Sequence, residues 1–188
     1  MTTTSSVCTS HKIVLDPGHS GPIEPGACAA GVSEAALVLE IARRTERLLQ
    51  QAGHEVRLTR DGDIDNDDLS WRAQLANRWG ADLFLSIHTN SFSGPAAHGT
   101  EVWHYPGSAD GIHLAGVVQE AITRDLHTAD RGIKPGRFTV LAATDCPAVL
   151  VETAFLSNAV DRVLLTTPQF QELIAAAIAA GVHNYYIT

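Results

Sequence analysis

Positive charge is scarce in this sequence: 13 lysines and arginines stand against 21 aspartates and glutamates, for a formal net charge of −8. Such a balance excludes a nucleic-acid binder, because phosphate neutralisation needs clustered Lys and Arg. It also offers no electrostatic route to an anionic membrane. Cysteine is equally thin. Cys8, Cys28 and Cys146 make no CxxC or other zinc-finger spacing. They read as unpaired, partly buried thiols, with a Cys8–Cys28 pair as the alternative. Long apolar runs are missing too, since the Ala-rich stretch 174–180 is far shorter than the ~20 residues of a membrane span. The polar, Ser/Thr-rich start lacks the basic and apolar regions of a secretory signal. Residues 1–10 therefore read as a tail. Residues 11–188 are enough chain for one well-buried domain and too few for two.

What is present is a set of short, continuous apolar runs. Ile13, Val14 and Leu15 form a buried strand that Asp16, Pro17 and Gly18 stop, leaving His19 at the mouth of a turn. Residues 81–87 form the most apolar strand and deliver His88. Residues 148–151 form another and deliver Glu152. Helices are expected between them. One follows Ser33 with Leu37, Ile41, Leu48 and Ala52 inward. Another spans 69–79 with Leu69, Ala73, Leu75 and Ala76 inward. A third spans 110–126, a short one ends near Leu165, and Pro168 opens a last one with Phe170, Leu173, Ile174 and Ile178 inward. Residues 55–59 read as a strand, 99–105 as an edge strand, 131–134 as a loop and 139–141 as a short strand. The acidic loop 61–68 lacks the spacing and bidentate Glu of an EF-hand. The implied fold class is α/β: a mostly parallel central sheet of about six strands with helices on both faces.

In such a sheet the C-terminal strand ends share one edge, which brings His19, His88 and Glu152 together. Glu34, in the first turn of the first helix, can lean over the same edge. Two histidines and a carboxylate make a catalytic zinc set, and a second carboxylate off the metal is the general base such a site needs. Glu24, in the Gly/Pro loop after His19, is a rival ligand. Asp16 is a candidate hydrogen-bond partner for a ligand histidine, or else a turn cap. His11, His54, His98, His104, His113, His127 and His183 read as surface residues.

Several segments resemble the zinc-dependent N-acetylmuramoyl-L-alanine amidases of the Amidase_3 type. They are Leu15-Asp-Pro-Gly-His-Ser-Gly, Gly31-Val-Ser-Glu34, Leu58-Thr-Arg, Arg72 with Ala76-Asn77, and Ala81-Asp-Leu-Phe-Leu-Ser-Ile-His88-Thr-Asn. Gly99-Thr-Glu, Arg131-Gly-Ile-Lys, Phe138-Thr-Val-Leu and Pro147-Ala-Val-Leu-Val-Glu152-Thr-Ala-Phe-Leu-Ser-Asn158 continue the match. Thr89 and Ala154 depart from the family's small residue and glycine. The resemblance implies a phosphorylase/hydrolase-like fold, Zn2+ on His19, Glu34 and His88, and Glu152 as the catalytic carboxylate. Asn90 and Arg131 become candidate substrate-binding residues, Asn90 as a donor to the oxyanion. The implied partner is peptidoglycan and its muropeptides, met by a monomer at the cell wall or periplasm, with no nucleic acid and no membrane insertion. A zinc peptidase cutting within the stem peptide and a non-catalytic wall-binding module are the alternatives. The loops 20–32, 91–98 and 132–137 are short or too rich in Gly, Pro and Ser to form a helix that plugs the site.

Overall fold

The computed structural model describes residues 9–66 and 68–188. The chain runs β1 (Lys12–Pro17), β2 (Cys28–Ala29), β3 (Val32–Ser33), α1 (Glu34–Gln51), β4 (Glu55–Leu58), α2 (Leu69–Trp79), β5 (Leu83–Asn90) and β6 (Thr100–His104). It continues through α3 (Ala109–Leu126), β7 (Asp130–Pro135), α4 (Thr139–Ala142), β8 (Ala148–Phe155), α5 (Ala159–Leu165) and α6 (Pro168–Ile187). Six strands form one sheet in the order β4-β1-β5-β8-β6-β7, and β2 and β3 pair as a small separate ribbon. All neighbours in the sheet are parallel except β6 and β8.

Alternate residues of the central strands feed two cores, as a sheet covered on both faces requires. Ile13, Leu15, Leu85, Ile87, Val149 and Val151 pack with α1, α3 and α6. Val14, Phe84, Ala148 and Leu150 pack with α2 and α4 on the other face. Because α4 is one turn long, it leaves the continuation of that second face uncovered. From β1 the chain passes through α1 to β4 on one side, then through α2 to β5 on the other. The crevice outside β1 and β5 is therefore a topological switch point.

Four expectations change. Residues 100–104 are an interior strand between β8 and β7, not an edge. Residues 131–134 belong to β7, which takes the edge instead; its closing Pro135 is compatible with an edge strand. Residues 139–141 form a helical turn, being too few for apolar β-branched character to decide. His88 and Glu152 lie within β5 and β8 and not at their ends, since both strands run beyond them. Leu69 and Leu173, expected inward, are 47% and 51% exposed, and Ala52 is exposed as well. Among the other histidines His104 is buried, while the remainder are half-buried or exposed. The Cys8–Cys28 question falls on Cys8, outside the described residues. No single described helix is long and apolar enough to cross a membrane.

Candidate metal centre

Strand register builds the centre. His88 and Glu152 are Cα partners across β5 and β8, and Asp16 pairs with Ser86 one step earlier. By parity, Ser86 and His88 continue the Phe84 face, and Glu152 continues the Ala148–Leu150 face, so both functional side chains emerge where α4 stops. His19 follows β1 in the left-handed conformation, with φ of 65°. That backbone is uncommon for a side chain with a Cβ and persists only where its surroundings fix it. Here two arginines fix it. Arg72 donates to the carbonyls of Pro17 and His19, and Arg60 donates to those of Pro17, Gly18 and Ala35.

Glu34 opens α1 and joins the two histidines. Its Oε2 lies 3.0 Å from His19 Nε2 and accepts from the Ala27 amide at 3.0 Å. Its Oε1 lies 3.0 Å from His88 Nδ1 and accepts from the Thr89 amide at 2.9 Å. One donor atom from each of His19, Glu34 and His88 falls within 4.8 Å of the others. Burial opposes the Glu34 charge, but the hydrogen bonds and charges of His19 and His88 outweigh it and hold the carboxyl far below the ordinary range. Burial likewise opposes a charge on His19, and Glu34 and Glu24 together overcome it, raising its pKa.

These donors fit a metal ion. His19 Nε2 is shut off from solvent and, despite its short approach to Glu34 Oε2, makes no hydrogen bond of acceptable direction. Three donor atoms that converge this closely, one of them closed off and without a well-directed partner, are aimed at a common centre. The surroundings leave them room: a Cβ on Gly26 would meet the His19 ring and Glu34 Oε2, and one on Gly18 would meet the His88 ring. Two imidazoles and a carboxylate are a donor set suited to zinc with an open position.

Glu152 stands apart from the cluster and lines the same cleft, whose volume is about 360 Å³. The cleft is also walled by Leu69, Phe138, Val140 and Leu150, so an apolar flank faces the polar one. Glu152 is half-buried as a residue, but its Oε2 is closed to solvent and has no hydrogen-bond partner. Burial, against the charge of His88 and with help from those of Glu34 and Glu101, lifts its pKa to about 7. A carboxyl so poised can accept and return a proton near neutrality.

Other expected residues stand elsewhere. Asp16 contacts no histidine; it accepts from Thr59 Oγ1 at 2.6 Å, Arg72 at 2.6 Å and Ser86 Oγ at 2.7 Å beneath the cleft. Glu24 is no part of the three-donor cluster and meets the far side of the His19 ring. Asn90 donates to Glu101 at 2.9 Å, and Arg131 donates to the same carboxylate at 2.7 Å; neither lines the cleft. Arg72 was visible in the sequence only as a motif piece. Its signal was a charge set beside the inward Ala73 and Ala76 of an amphipathic helix.

The family model described as N-acetylmuramoyl-L-alanine amidase (Amidase_3) matches residues 13–184. A germination-specific N-acetylmuramoyl-L-alanine amidase of Bacillus subtilis is 32% identical over 96% of this chain and 82% of its own length. An uncharacterized cell wall amidase of Bacillus anthracis is 36% identical over 93% of the chain, which spans 35% of that relative's length. Among solved structures, an N-acetylmuramoyl-L-alanine amidase from Clostridium difficile 630 superposes with a TM-score of 0.90 at 32% identity, covering 95% of this chain and 98% of the other. AmiC2 of Nostoc punctiforme does so at 0.89 and 34%, covering 96% and 100%.

Proposed function

The chain belongs to the N-acetylmuramoyl-L-alanine amidase family, and from that membership and the site we propose that it hydrolyses the amide between N-acetylmuramic acid and L-alanine in peptidoglycan. In this reading His19, Glu34 and His88 hold a zinc ion and Glu152 is the catalytic carboxylate. The observation that carries it is the convergence of three donor atoms beside a partnerless, buried carboxylate oxygen.

A zinc ion held there supplies Lewis acidity, making water nucleophilic near pH 7 and polarising the carbonyl. The residues do the rest. Glu34 keeps both oxygens directed at the histidines because the Ala27 and Thr89 amides fix its carboxylate plane. Glu152 takes a proton from the attacking water as oxygen bonds to the lactyl carbonyl carbon. It then gives that proton to the alanine nitrogen as the C–N bond breaks, leaving a carboxylic acid and a free amine. A cation beside it would favour its charged, basic form. The apolar flank of Phe138, Val140 and Leu150 excludes water from one side of the reacting bond. In this reading residues 11–188 act as one catalytic domain, as a monomer, at the cell wall or periplasm.

The test is chemical. Purified peptidoglycan is incubated with the zinc-loaded protein, and the new amino termini are labelled. An N-terminal alanine, lost on chelation and restored by zinc, is expected. New termini from within the stem peptide would replace this reading with a peptidase.

A further inference from the structure

We propose that Glu24 is a positioning residue that selects the ring nitrogen His19 presents to the metal. This rests on the zinc reading above and extends it to a residue outside the donor set. Glu24 Oε2 lies 2.6 Å from His19 Nδ1, while His19 Nε2 faces Glu34 on the opposite side of the ring. A carboxylate is an acceptor only, so it requires the proton to sit on Nδ1 and frees the Nε2 lone pair. It also fixes the ring's rotation.

His88 is held differently. It turns Nδ1 toward Glu34, and its ring lies so close to Gly18 that a Cβ there would overlap it. Both rings pack against a glycine, His19 against Gly26 and His88 against Gly18, but the His19 ring has in addition the hydrogen bond to Glu24. The two proposed ligands therefore differ in what keeps them in place, and Glu24 governs one of them.

The backbone bearing Glu24 does not depend on its side chain. Pro22 and Pro25 restrict the loop, the Ser20 amide donates to the Glu24 carbonyl at 3.0 Å, and the Ile64 amide donates to the Ser20 carbonyl at 2.8 Å. Arg60 and Arg72 hold the His19 turn from below. Glu24 is 45% exposed in its side chain, so its pairing adds little to stability. Its removal should loosen one imidazole and leave the fold intact.

The experiment compares the full-length parent with Glu24→Ala and Glu24→Gln by chelator-competition zinc affinity, stoichiometry at saturating zinc, the Co2+ absorption spectrum and the thermal midpoint of the metal-free protein. Glu24→Ala should weaken zinc binding by about 10–100-fold, the loss typical of removing a carboxylate behind a ligand histidine. Stoichiometry at saturation should stay at one, and the metal-free midpoint should not move. Glu24→Gln, which keeps an acceptor oxygen at the same reach, should fall between. An affinity within about twofold of the parent would overturn the proposal. So would a fall in affinity matched by a fall in metal-free stability. Loss of one-to-one binding with a changed Co2+ spectrum would overturn it in another way, by making Glu24 a ligand. A parent protein that takes up no zinc would instead bring down the metal reading itself, and this inference with it.

Discussion

Glu101 and Glu152 stand opposite each other across the antiparallel β6–β8 pair. Their side chains meet opposite fates. Burial works against the Glu101 charge, but hydrogen bonds from Lys134 at 2.5 Å and Arg131 at 2.7 Å prevail and pull its pKa down. Glu152 has no cationic partner, and burial pushes it to about 7. One carboxylate is locked in its charged form and the other is free to exchange a proton.

Replacing Glu152 therefore separates metal binding from turnover. Glu152→Gln should keep zinc at one equivalent and lose muralytic activity by at least ~10²-fold, the contribution of a general base. His88→Ala should lose both zinc and activity. Metal analysis and turbidity loss of a wall suspension read the two quantities. A zinc-free Glu152→Gln beside a zinc-replete Glu34→Ala would reverse the roles assigned to these carboxylates.

Stability should depend on pH through the same residue. The Glu152 carboxyl has its folded pKa raised from 4.5 to about 7, so between those values the native state binds a proton the unfolded chain releases. Its effect on stability is neutral-to-favourable at low pH and becomes a cost as pH rises through that window. Metal-free Glu152→Gln lacks this cost. In urea titrations with chelator, the variant should gain on the parent from pH 5 to pH 8. The gain should be on the order of 3 kcal/mol, because each tenfold change in proton affinity is worth about 1.4 kcal/mol. A constant difference across that range would show that Glu152 ionises normally.

Beneath the cleft, Arg72 and Asp16 form an ion pair at 2.6 Å with side chains 2% and 1% exposed. Arg72→Met leaves Asp16 charged, buried and short of a partner, and should cost about 3–5 kcal/mol. Adding Asp16→Asn removes the stranded charge and should restore part of that loss. Denaturant midpoints of the three variants check this. Equal stability of Arg72→Met and the parent would show the pair to be dispensable.

The cleft lets solvent reach its metal donors: the His19 and His88 side chains are each 19% exposed. The segments 20–32, 91–98 and 132–137 contain no helix that could plug the cleft. Purified zinc-loaded protein should therefore release soluble stem peptides from peptidoglycan with no activator present. Inactivity relieved by a partner or by trimming an internal segment would count against an open site.

The sequence made the sheet and the converging residues legible because central strands buried on both faces must be continuously apolar. Ile13 to Leu15, Leu83 to Leu85 and Ala148 to Val151 meet that demand, and His19, His88 and Glu152 follow them as polar interruptions. Order within the sheet was not legible. Nothing local distinguishes an interior 100–104 from an edge, and the Gly132 and Pro135 of β7 resemble a loop until a neighbour pairs with them. Glu24 reads as a rival ligand in the sequence, since spacing alone cannot tell which side of an imidazole a carboxylate meets. Asp16 reads as a histidine's partner or a turn cap because its actual partners, Thr59, Arg72 and Ser86, lie 43 to 70 residues away in the chain.

The place of β8 between β5 and β6 has a consequence in time. The β4-β1-β5 half of the sheet and the β6-β7 half meet only through this strand, which comes after both in the chain. During synthesis, His19, Glu34 and His88 are all made before β8, and the strand that welds the halves together is the one that brings Glu152. Parallel pairings between distant segments form slowly, and β8 makes such a pairing with β5. In the proposed reading the residues that would hold the metal are therefore all made before the strand that carries the proposed proton-transfer group.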